Sequence, residues 1–499
     1  MSQREFLLYD TMTRQVKPLQ PLEPGHLKFY SCGPTVYSYA HIGNFRTFLT
    51  ADLICRVARA LGWRVTYVSN ITDVGHLTED DVADATGEDK MQRALQSKEG
   101  EQFANVWELA DYYAEAFKAD WRKLNLNEPM LWPKATQHMR EQIVAVEKLI
   151  ETGHAYVTPS AVYFRLSSFP EYGKLSGNLN KDSLQVGVRD VVVDDSKEHP
   201  GDFALWKRDE KHLMQWFSPW GWGFPGWHIE CSVMAMAYLG ETIDLHAGGE
   251  DLVFPHHESE IAQSECLTGH TFANHWIHTR FLQVDGEKMS KRTGNWYTVR
   301  DLVDQQGANP LALRYALMTV PYGKTLNFTM QTLRDATTAV ERYAECERLA
   351  ELALKKSPSG QSATAFAEEL ERLYEETLDA LCNDLNTSVA LAKGFEGTKV
   401  ILRDATHLTH EQGQVARQWL DRINDLLGIL RSQYADAATG DRGSAEESAA
   451  LALMDARQKA KSEKDFGLAD RLRSEIEAMG FEVRDTPEGP VLRRLSGLN

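Results

Sequence analysis

The 499-residue chain lacks the features that mark membrane and secreted proteins. No apolar run reaches the roughly 18 residues that a membrane-spanning helix needs. The N-terminus MSQREFLLYD has no apolar core of a secretory signal. Its six cysteines are few for this length and are not closely paired, which argues against a disulfide framework. These absences predict a cytoplasmic protein without membrane association.

An excess of positive charge is also missing, because the formal net charge is −18. This argues only weakly against nucleic acid as a partner, since binding needs no more than a local basic stripe. The candidate stripes, each of which could equally be a solvated surface, are Lys288 with Lys291 and Arg292, the 457–473 stretch, and Arg493 with Arg494. The length suggests about three domains, and 42% hydrophobic residues are typical of a globular protein.

The segment GGEDLVFPHHESEIAQSE offers candidate metal ligands. Because proline is tolerated at a helix entrance, a helix is predicted to start just after its proline. His256 and Glu260 would then be i and i+4 on one face, and both side chains are good zinc ligands. Cys32 and Cys231 could complete a four-ligand site. The spacing alone leaves open a polar helix start with two buried thiols.

The N-terminal region contains a strand, a helix and a second strand in succession. The stretch LKFYS (27–31) is apolar and aromatic, and RVTYVSNITDV (64–74) is β-branched, so both predict strands. Between them, apolar residues recur every three to four positions from 41 onward and predict an amphipathic helix. A βαβ unit of this kind implies a parallel sheet.

The tetrapeptide HIGN therefore lies at the first turn of a helix that follows a strand. Free backbone N–H groups make that position a phosphate site. His41 and Asn44 could donate to a phosphate oxygen, and Gly43 would let a nucleotide approach the backbone closely. Alone the motif is weak evidence, since a histidine there is often only a helix-start residue.

A second polar motif follows two further predicted strands. The stretches TIDLHAGG (242–249) and HWIHTRFLQVDG (275–286) predict strands, and the second leads into the loop EKMSKRTGN. Two flexible ammonium groups, Lys288 and Lys291, suit a mobile clamp on phosphates. A solvated turn is the alternative for this loop alone.

The rest of the chain is mostly helical in pattern. Residues 79–153 are predicted to be helical. Residues 154–226 are predicted to be irregular because glycine and proline recur along them. Further helices are predicted near 309–320, 329–355, 364–382, 386–403, 410–431, 446–463 and 466–479. The small polar segment 434–446 is a predicted linker, and FEVRD with PVLRRL predicts a terminal hairpin.

Together these motifs resemble class I aminoacyl-tRNA synthetases. HIGN is similar to their HIGH motif and KMSK to their KMSKS motif, with Asn44 and Arg292 as departures. More specific segments resemble the cysteinyl-tRNA synthetase family almost from end to end; they are SCGPTVYSYAHIGNFRTF, VSNITDVG, YGKLSGN, DFALWK, PGWHIECS and GGEDLVFPHHESEIAQS.

The resemblance implies an α/β fold with a Rossmann-type parallel-sheet catalytic domain, an inserted connective segment, a helical bundle and a small C-terminal α/β module. The catalytic domain would span 1–297, with the connective insertion at about 120–225. It would be followed by a stem-contact and helical-bundle domain at 298–433, the linker at 434–446, and an anticodon-binding module at 447–499.

The activity implied by the resemblance is ligation of L-cysteine to tRNA(Cys). ATP would first give cysteinyl adenylate, with Mg²⁺ accompanying the nucleotide, and the cysteinyl group would then pass to the 3′-terminal ribose of tRNA. One Zn²⁺ per chain would be held by Cys32, Cys231, His256 and Glu260. It would bind the substrate thiolate and so reject serine, which a pocket that reads shape alone cannot do strongly. We expect a monomer.

The resemblance also assigns the other site residues. His41, Gly43, Asn44, Lys288 and Lys291 would bind ATP, and all of these except Gly43 would be catalytic. Trp227, His246 and Asp251 would bind the amino-acid substrate or nucleotide, with core packing as the alternative for Trp227 and His246. Lys461, Asp470, Arg493 and Arg494 would contact the anticodon, with ordinary surface charge as the alternative.

The alternative function differs in the molecule that accepts the cysteinyl group. The same adenylation chemistry could load cysteine onto an amino sugar. The long region after KMSK, which such a ligase has little need of, favours tRNA. A zinc-stabilised nucleic-acid-binding protein without catalysis is a further alternative, and the presence of both HIGN and KMSK argues against it.

Overall fold

The computed structural model describes residues 4–75, 77–79, 86–178, 196–209, 212–290, 293–405, 407–434, 450, 453–454, 456–461, 465–486 and 489–494. Lys291, Arg292 and residues 435–446 of the predicted linker therefore lie outside the described residues. Within the described part of the chain, no helix is both long enough and apolar enough to cross a membrane.

The strands are β1 (Leu7–Asp10), β2 (Gln15–Pro18), β3 (His26–Ser31), β4 (Arg64–Ser69), β5 (Leu77–Glu79), β6 (Thr86–Asp89), β7 (Ala155–Val157), β8 (Ala161–Phe164), β9 (Phe203–Lys207), β10 (Trp216–Ser218), β11 (Gly221–Pro225), β12 (Leu245–Gly249), β13 (Trp276–Thr279), β14 (Leu282–Val284), β15 (Glu287–Lys288), β16 (Leu326–Phe328), β17 (Phe481–Thr486) and β18 (Gly489–Arg494). The helices are α1 (Ile42–Ala60), α2 (Lys90–Leu95), α3 (Val106–Lys123), α4 (Met139–Glu151), α5 (Trp227–Leu239), α6 (Glu258–Thr268), α7 (Pro310–Met318), α8 (Met330–Leu354), α9 (Thr364–Cys382), α10 (Thr387–Arg403), α11 (His410–Leu427) and α12 (Phe466–Ala478).

A four-stranded sheet in the order β13–β12–β3–β4 is the centre of the catalytic region. All of its pairings are parallel. Helix α1 connects β3 to β4 and buries its apolar face, including Phe45, Leu49 and Leu53, in the core. The predicted βαβ unit and parallel sheet are confirmed, and the fold is the predicted mixed α/β type.

The region from 154 to 226 is not irregular as predicted. It contains a five-stranded antiparallel sheet in the order β10–β11–β9–β8–β7. Each strand is short, and β8 pairs with β9 across a long sequence separation, with Ala161 opposite Lys207. Buried residues do not alternate with exposed ones along either strand, so the sequence pattern did not predict the sheet. Strand β6 likewise lies inside the stretch from residue 79 that was predicted to be helical, and its partner β5 ends at the first residue of that stretch.

The helices predicted between residues 298 and 431 and the one near 466–479 are present, whereas the helix predicted near 446–463 falls in large part outside the described residues. Helices α7 to α11 match five of the predicted ranges, with α11 ending at Leu427 rather than near 431. Gly428 stops α11 because its φ of 66° gives the left-handed cap that glycine adopts without strain. The C-terminal hairpin β17–β18 is antiparallel as predicted, and it packs with α12 around Ile476, Phe481 and Val483.

A buried charge cluster joins α1 to the helical region. Asp52 is fully buried and its carboxylate accepts hydrogen bonds from Arg56 and Arg314. Burial alone would raise the pKa of Asp52, but the two guanidinium groups hold that pKa well below its ordinary value. Arg314 also donates to the carbonyl of Leu427 at the end of α11. Helix α1 and the helical region are therefore joined through this cluster, in which Arg56 also donates to the carbonyls of Asn424 and Asp425.

Candidate metal and nucleotide site

The candidate site lies at the edge of the parallel sheet where β3 and β12 end. Ligand sites of open α/β sheets form at the carboxyl ends of their strands. Cys32 directly follows β3, and the Gly248-Gly249 turn ends β12. Helices α5 and α6 pack against each other beside this edge and bring Cys231 and Glu260 to it.

The four predicted metal ligands come together there. Donor atoms of Cys32, Cys231, His256 and Glu260 all lie within 4.8 Å of one another, and all four residues are buried. His256 precedes the regular part of α6, which starts at Glu258 rather than just after Pro255, yet its Nε2 is 3.0 Å from Glu260 Oε1. The predicted i, i+4 relation of this pair is therefore present.

The spacing of these donors fits a tetrahedral ion. The two sulfur atoms, Cys32 Sγ and Cys231 Sγ, are 3.8 Å apart. Two thiolates bound at ~2.3 Å to one tetrahedral zinc would also be about 3.8 Å apart. Cys32 Sγ lies 3.4 Å from Glu260 Oε1, so sulfur and oxygen donors face the same point. A set of two sulfurs, one imidazole and one carboxylate suits zinc by donor type as well.

Electrostatics support a cation at this point. Burial would raise the pKa of Glu260, but His246 and His256 lower it to about 2. Burial would lower the pKa of His256, but Glu260 and Cys231 raise it to about 10. The pKa of the Cys231 thiol is lowered by its hydrogen bond with Cys32 and by His256, although burial opposes this. Anionic donors far from water need positive charge nearby, which a bound dication would supply.

A second set of donors overlaps the first. The donor atoms of Cys32, His246, His257 and Glu260 also lie within 4.8 Å of one another. His246 Nε2 is 2.9 Å from Glu260 Oε2, and its ring stacks on Trp276. The structure thus places His246 against the carboxylate of a candidate ligand, and its predicted contact with the amino-acid substrate stays a prediction. His257 was missed, although it is the second histidine of the quoted HHES sequence.

Two residues at the start of α5 hold the imidazole of His256. Trp227 packs its ring on His256 with the centroids 4.2 Å apart. His228 Nδ1 is 2.9 Å from His256 Nδ1, so one nitrogen donates and the other accepts. This contact leaves His256 Nε2 facing Glu260, which is the usual role of a partner outside the ligand set. His228 was missed, although it stands inside the quoted segment PGWHIECS.

The HIGN turn is a reciprocal helix cap. His41 is the N-cap of α1, and its Nδ1 accepts the Asn44 N–H at 3.1 Å. Asn44 Oδ1 accepts the His41 N–H at 3.1 Å in return. Because Nδ1 of His41 accepts, the neutral ring carries its proton on Nε2. The cap therefore uses Nδ1 of His41 and Oδ1 of Asn44 as acceptors, and both side chains also carry N–H donors.

The KMSK strand lies against this turn. A Cβ atom built on Gly43 would come within 2.9 Å of Met289 Cε and of the His41 ring. The missing side chain of Gly43 thus lets the two motifs approach each other. Lys288 lies in β15, is exposed, and has its Nζ 5.6 Å from the centroid of the Phe281 ring. Lys291 lies outside the described residues.

The remaining predicted site residues occupy two regions. Asp251 is exposed in the turn after β12, with its Oδ1 beside Gly249. The other residues belong to the C-terminal region: Lys461, which is half-buried; Asp470, exposed on α12; and Arg493 and Arg494, which pair along the hairpin with Glu482 and Phe481. Their predicted contacts with substrate and anticodon stay predictions.

Comparisons with known proteins identify the class. Residues 18–338 match the family model described as the class I (C) tRNA synthetase catalytic domain. Residues 445–490 match the model described as the cysteinyl-tRNA ligase anticodon binding domain. A solved methionyl-tRNA synthetase of Mycobacterium tuberculosis, in complex with methionyl-adenylate, shares the fold with a TM-score of 0.57 and 15% identity, covering 84% of this chain and 96% of that one.

Relatives in sequence extend over nearly the whole chain. The cysteine–tRNA ligase of Salinibacter ruber is 52% identical, with 97% of each chain covered. That of Caldicellulosiruptor saccharolyticus is 40% identical over 98% of this chain and 99% of its own. The chain is thus a class I aminoacyl-tRNA synthetase. Within that class it belongs to the cysteine–tRNA ligase family, and the predicted family and enzyme class are confirmed.

Proposed function

We propose that the chain ligates L-cysteine to tRNA(Cys) in two steps, with a zinc ion selecting the substrate thiol. The observation that carries this proposal is the buried cluster of Cys32, Cys231, His256 and Glu260. It lies at the edge where β3 ends, and the HIGN turn begins the helix that follows β3. Met289, next to Lys288 of a separate three-stranded sheet, approaches that turn. A thiol-selective site beside a phosphate site is what cysteine activation by ATP requires.

In the first step the cysteine carboxylate attacks the α-phosphate of ATP and pyrophosphate leaves. This chemistry needs positioning and charge stabilisation rather than a protein nucleophile. His41 Nε2–H, the Asn44 side-chain amide and the positive end of the α1 dipole would meet phosphate oxygens, because the backbone N–H groups of Ile42 and Asn44 already donate within the protein. Lys288, which lies in the facing strand, and Lys291 of the KMSK motif would meet the charge that develops on pyrophosphate. Mg²⁺ accompanies the nucleotide.

The buried cluster selects the amino acid. Cys32, Cys231, His256 and Glu260 hold the zinc, while His246 and His228 orient two of those ligands from outside. Zinc bound there would supply a soft Lewis-acid site for the thiolate of cysteine, which the hydroxyl of serine does not match. Trp227 packs on His256 at one side of the site, and Asp251 would meet the substrate ammonium or the nucleotide.

In the second step the terminal ribose hydroxyl of tRNA attacks the adenylate carbonyl and AMP leaves. The catalytic domain at 1–297, with its insertion at about 120–225, would carry the chemistry, and the bundle at 298–433 would contact the tRNA stem. The module at 447–499 would read the anticodon through Lys461, Asp470, Arg493 and Arg494. The anticodon-binding family match supports tRNA rather than an amino sugar as the acceptor. The enzyme acts as a monomer in the cytoplasm.

Exchange between ATP and labelled pyrophosphate tests the first step, and charging of tRNA tests the second. Exchange should depend on cysteine and should not be supported by serine at equal concentration. Aminoacylation should require tRNA(Cys), and an amino-sugar acceptor should take no cysteinyl group. Zinc content of the purified enzyme should be one ion per chain. Exchange that proceeds equally with serine would contradict the selection by zinc.

A further inference from the structure

Arg46 is a buried cation in the second turn of α1 that binds only backbone. Its guanidinium is 2% exposed. Nη1 donates to the carbonyls of Arg280 at 2.7 Å and Phe281 at 3.0 Å. Nη2 donates to the carbonyls of Pro321 at 3.1 Å and Lys324 at 2.5 Å. One side chain of the HIGN helix thus joins two separate segments of chain.

Both segments enter the small sheet that carries the KMSK lysine. Residues 280–281 immediately precede β14, and residues 321–324 lead into β16. Strand β14 pairs with β16 on one side and with β15 on the other, where Gln283 stands opposite Lys288. The four carbonyl bonds of Arg46 therefore fix the position of this sheet relative to α1.

The path from Arg46 to Lys288 passes through Phe281. The Phe281 carbonyl accepts from Arg46, and its N–H donates to Glu250 at 2.7 Å. Hydrogen bonds with Arg46 and Glu250 therefore hold the peptide groups on both sides of the Phe281 Cα. Phe281 itself is 47% exposed, and its ring lies beneath the Lys288 ammonium, 5.6 Å from the ring centroid. The lysine is consequently supported by a residue whose backbone Arg46 and Glu250 immobilise.

We propose that Arg46 is a positioning residue for adenylate formation, which holds Lys288 at a fixed height opposite the HIGN turn. The inference rests on the proposed ATP-dependent activation of cysteine. Arg46 touches neither the predicted phosphate groups nor the metal ligands, so it acts through β14 and β15. The contact between Met289 and Gly43 is the place where a shift of that strand would be felt.

An arginine is required here for a geometric reason. The planar guanidinium presents five N–H donors in a fixed fork, so it can bind two carbonyls of each segment at once. A lysine ammonium has the same charge but a single nitrogen, and it cannot span both segments. Burial lowers the pKa of Arg46 to about 10, with Glu250 acting in the opposite direction, so the guanidinium stays charged at neutral pH.

The test compares Arg46→Lys with the parent enzyme in single-turnover adenylate formation at saturating ATP and cysteine. Displacement of a reacting group by about 1 Å can cost as much as 10²-fold in rate, so the rate is expected to fall by about 10- to 100-fold. Zinc content and the Kd for cysteine should not change, because no metal ligand is touched. An adenylation rate equal to that of the parent overturns the inference.

Arg314→Lys is the matched control. Arg314 is also a fully buried guanidinium, and it donates to three backbone carbonyls and to Asp52, but none of these lies in the β14–β16 sheet. It should lower the thermal midpoint as Arg46→Lys does while leaving the rate of adenylate formation unchanged. Equal rate losses in the two variants would show a general effect of destabilisation and would overturn the positioning role.

A double-mutant cycle identifies the group through which Arg46 acts. If it acts through Lys288, Arg46→Lys should cost little in a Lys288→Ala background, because that contact is already gone. Rate losses that simply multiply overturn the inference. Should Arg46→Lys not fold, Phe281→Ala removes the support beneath Lys288 at an exposed position, and an unchanged adenylation rate there also overturns it. A parent without cysteine-dependent exchange instead refutes the proposed function.

Discussion

The donor cluster at the parallel sheet and the lysine strand β15, which belongs to a separate three-stranded sheet, are built in opposite ways. Glu260 is 0% exposed and His256 is 1% exposed, and each has protein partners that fix its orientation. Lys288 is exposed, in a two-residue strand at the edge of its sheet. The first group is enclosed in the core, whereas the second faces solvent. In the proposed reaction, selection of the amino acid therefore falls to buried, desolvated groups, and handling of pyrophosphate to exposed, hydrated ones.

Removal of one buried ligand should have the largest effect. Cys231→Ala should lose zinc and reduce cysteine-dependent exchange to background, since partners outside a ligand set alone cost about 10- to 100-fold. Zinc content and pyrophosphate exchange are the measurements. Cys266→Ala, which removes a thiol on α6 that is in neither donor cluster, should keep both. A Cys231→Ala enzyme that activates cysteine at the parent rate would contradict the role assigned to the buried donor cluster.

Substitution of Asp52 tests whether burial stabilises a charged side chain equally well where no metal is proposed. Asp52→Asn leaves Arg56 and Arg314 uncompensated, so the free energy of unfolding should fall by about 3–5 kcal/mol at pH 7. The folded-state pKa of Asp52 is depressed, so its contribution is complete above the unfolded value of about 3.9 and is lost as pH falls below it. Parent and variant should therefore converge from about pH 4 downward in urea unfolding.

The exposed pair Asp379 with Arg4 supplies the control for that measurement. Asp379→Asn should cost no more than about 1 kcal/mol, because both charges keep their water. A loss as large as that of Asp52→Asn would mean that burial is not what makes the difference.

In the KMSK motif, Lys291→Ala should slow adenylate formation much more than it weakens cysteine binding. Its ammonium meets charge that develops only as pyrophosphate leaves, and one such contact is worth about 10²–10³ in rate. Single-turnover rates and the Kd for cysteine separate the two effects. Lys291→Arg, which keeps the charge, should recover part of the rate. An unchanged adenylation rate in Lys291→Ala would refute its role.

Truncation near Gly440 should have the smallest effect on activation. It removes no residue of the donor cluster, HIGN or KMSK, so exchange should be unchanged. Charging of tRNA should weaken by about 10- to 100-fold, because base contacts worth ~1–3 kcal/mol each are lost. Wild-type tRNA and a tRNA altered in the anticodon should then be charged equally. If full-length enzyme also fails to prefer the wild-type anticodon, the assignment of Asp470 is wrong.

Local patterns were sufficient for the elements that hold most of the site. The apolar spacing in α1 and the β-branched run of β4 specify a βαβ unit, and its topology alone places HIGN at the strand ends. The helices after residue 298 were predictable for the same reason, since each has its own periodicity. The four candidate ligands were found because their donor types are restrictive, even though Cys32 and Cys231 are far apart in the sequence.

What escaped prediction depends on contacts between distant residues. The antiparallel sheet formed by β7 to β11 was missed because β8 finds its partner in β9, across a long connection. Arg46 reads as an ordinary polar position of α1, and only the fold shows four carbonyls around its guanidinium. The contact of His246 with Glu260 was not predicted either, because it results from the packing of β12 against α6.

The reciprocal cap of His41 and Asn44 has a consequence for selection experiments on this enzyme. Serine at 41 with glutamate at 44 is a stronger cap in general, so a screen for heat resistance without substrate would favour that pair. Such variants would lose the ring N–H and gain an anion where phosphate has to bind. Thermal stability and catalytic fitness should therefore rank substitutions at these two positions in opposite order.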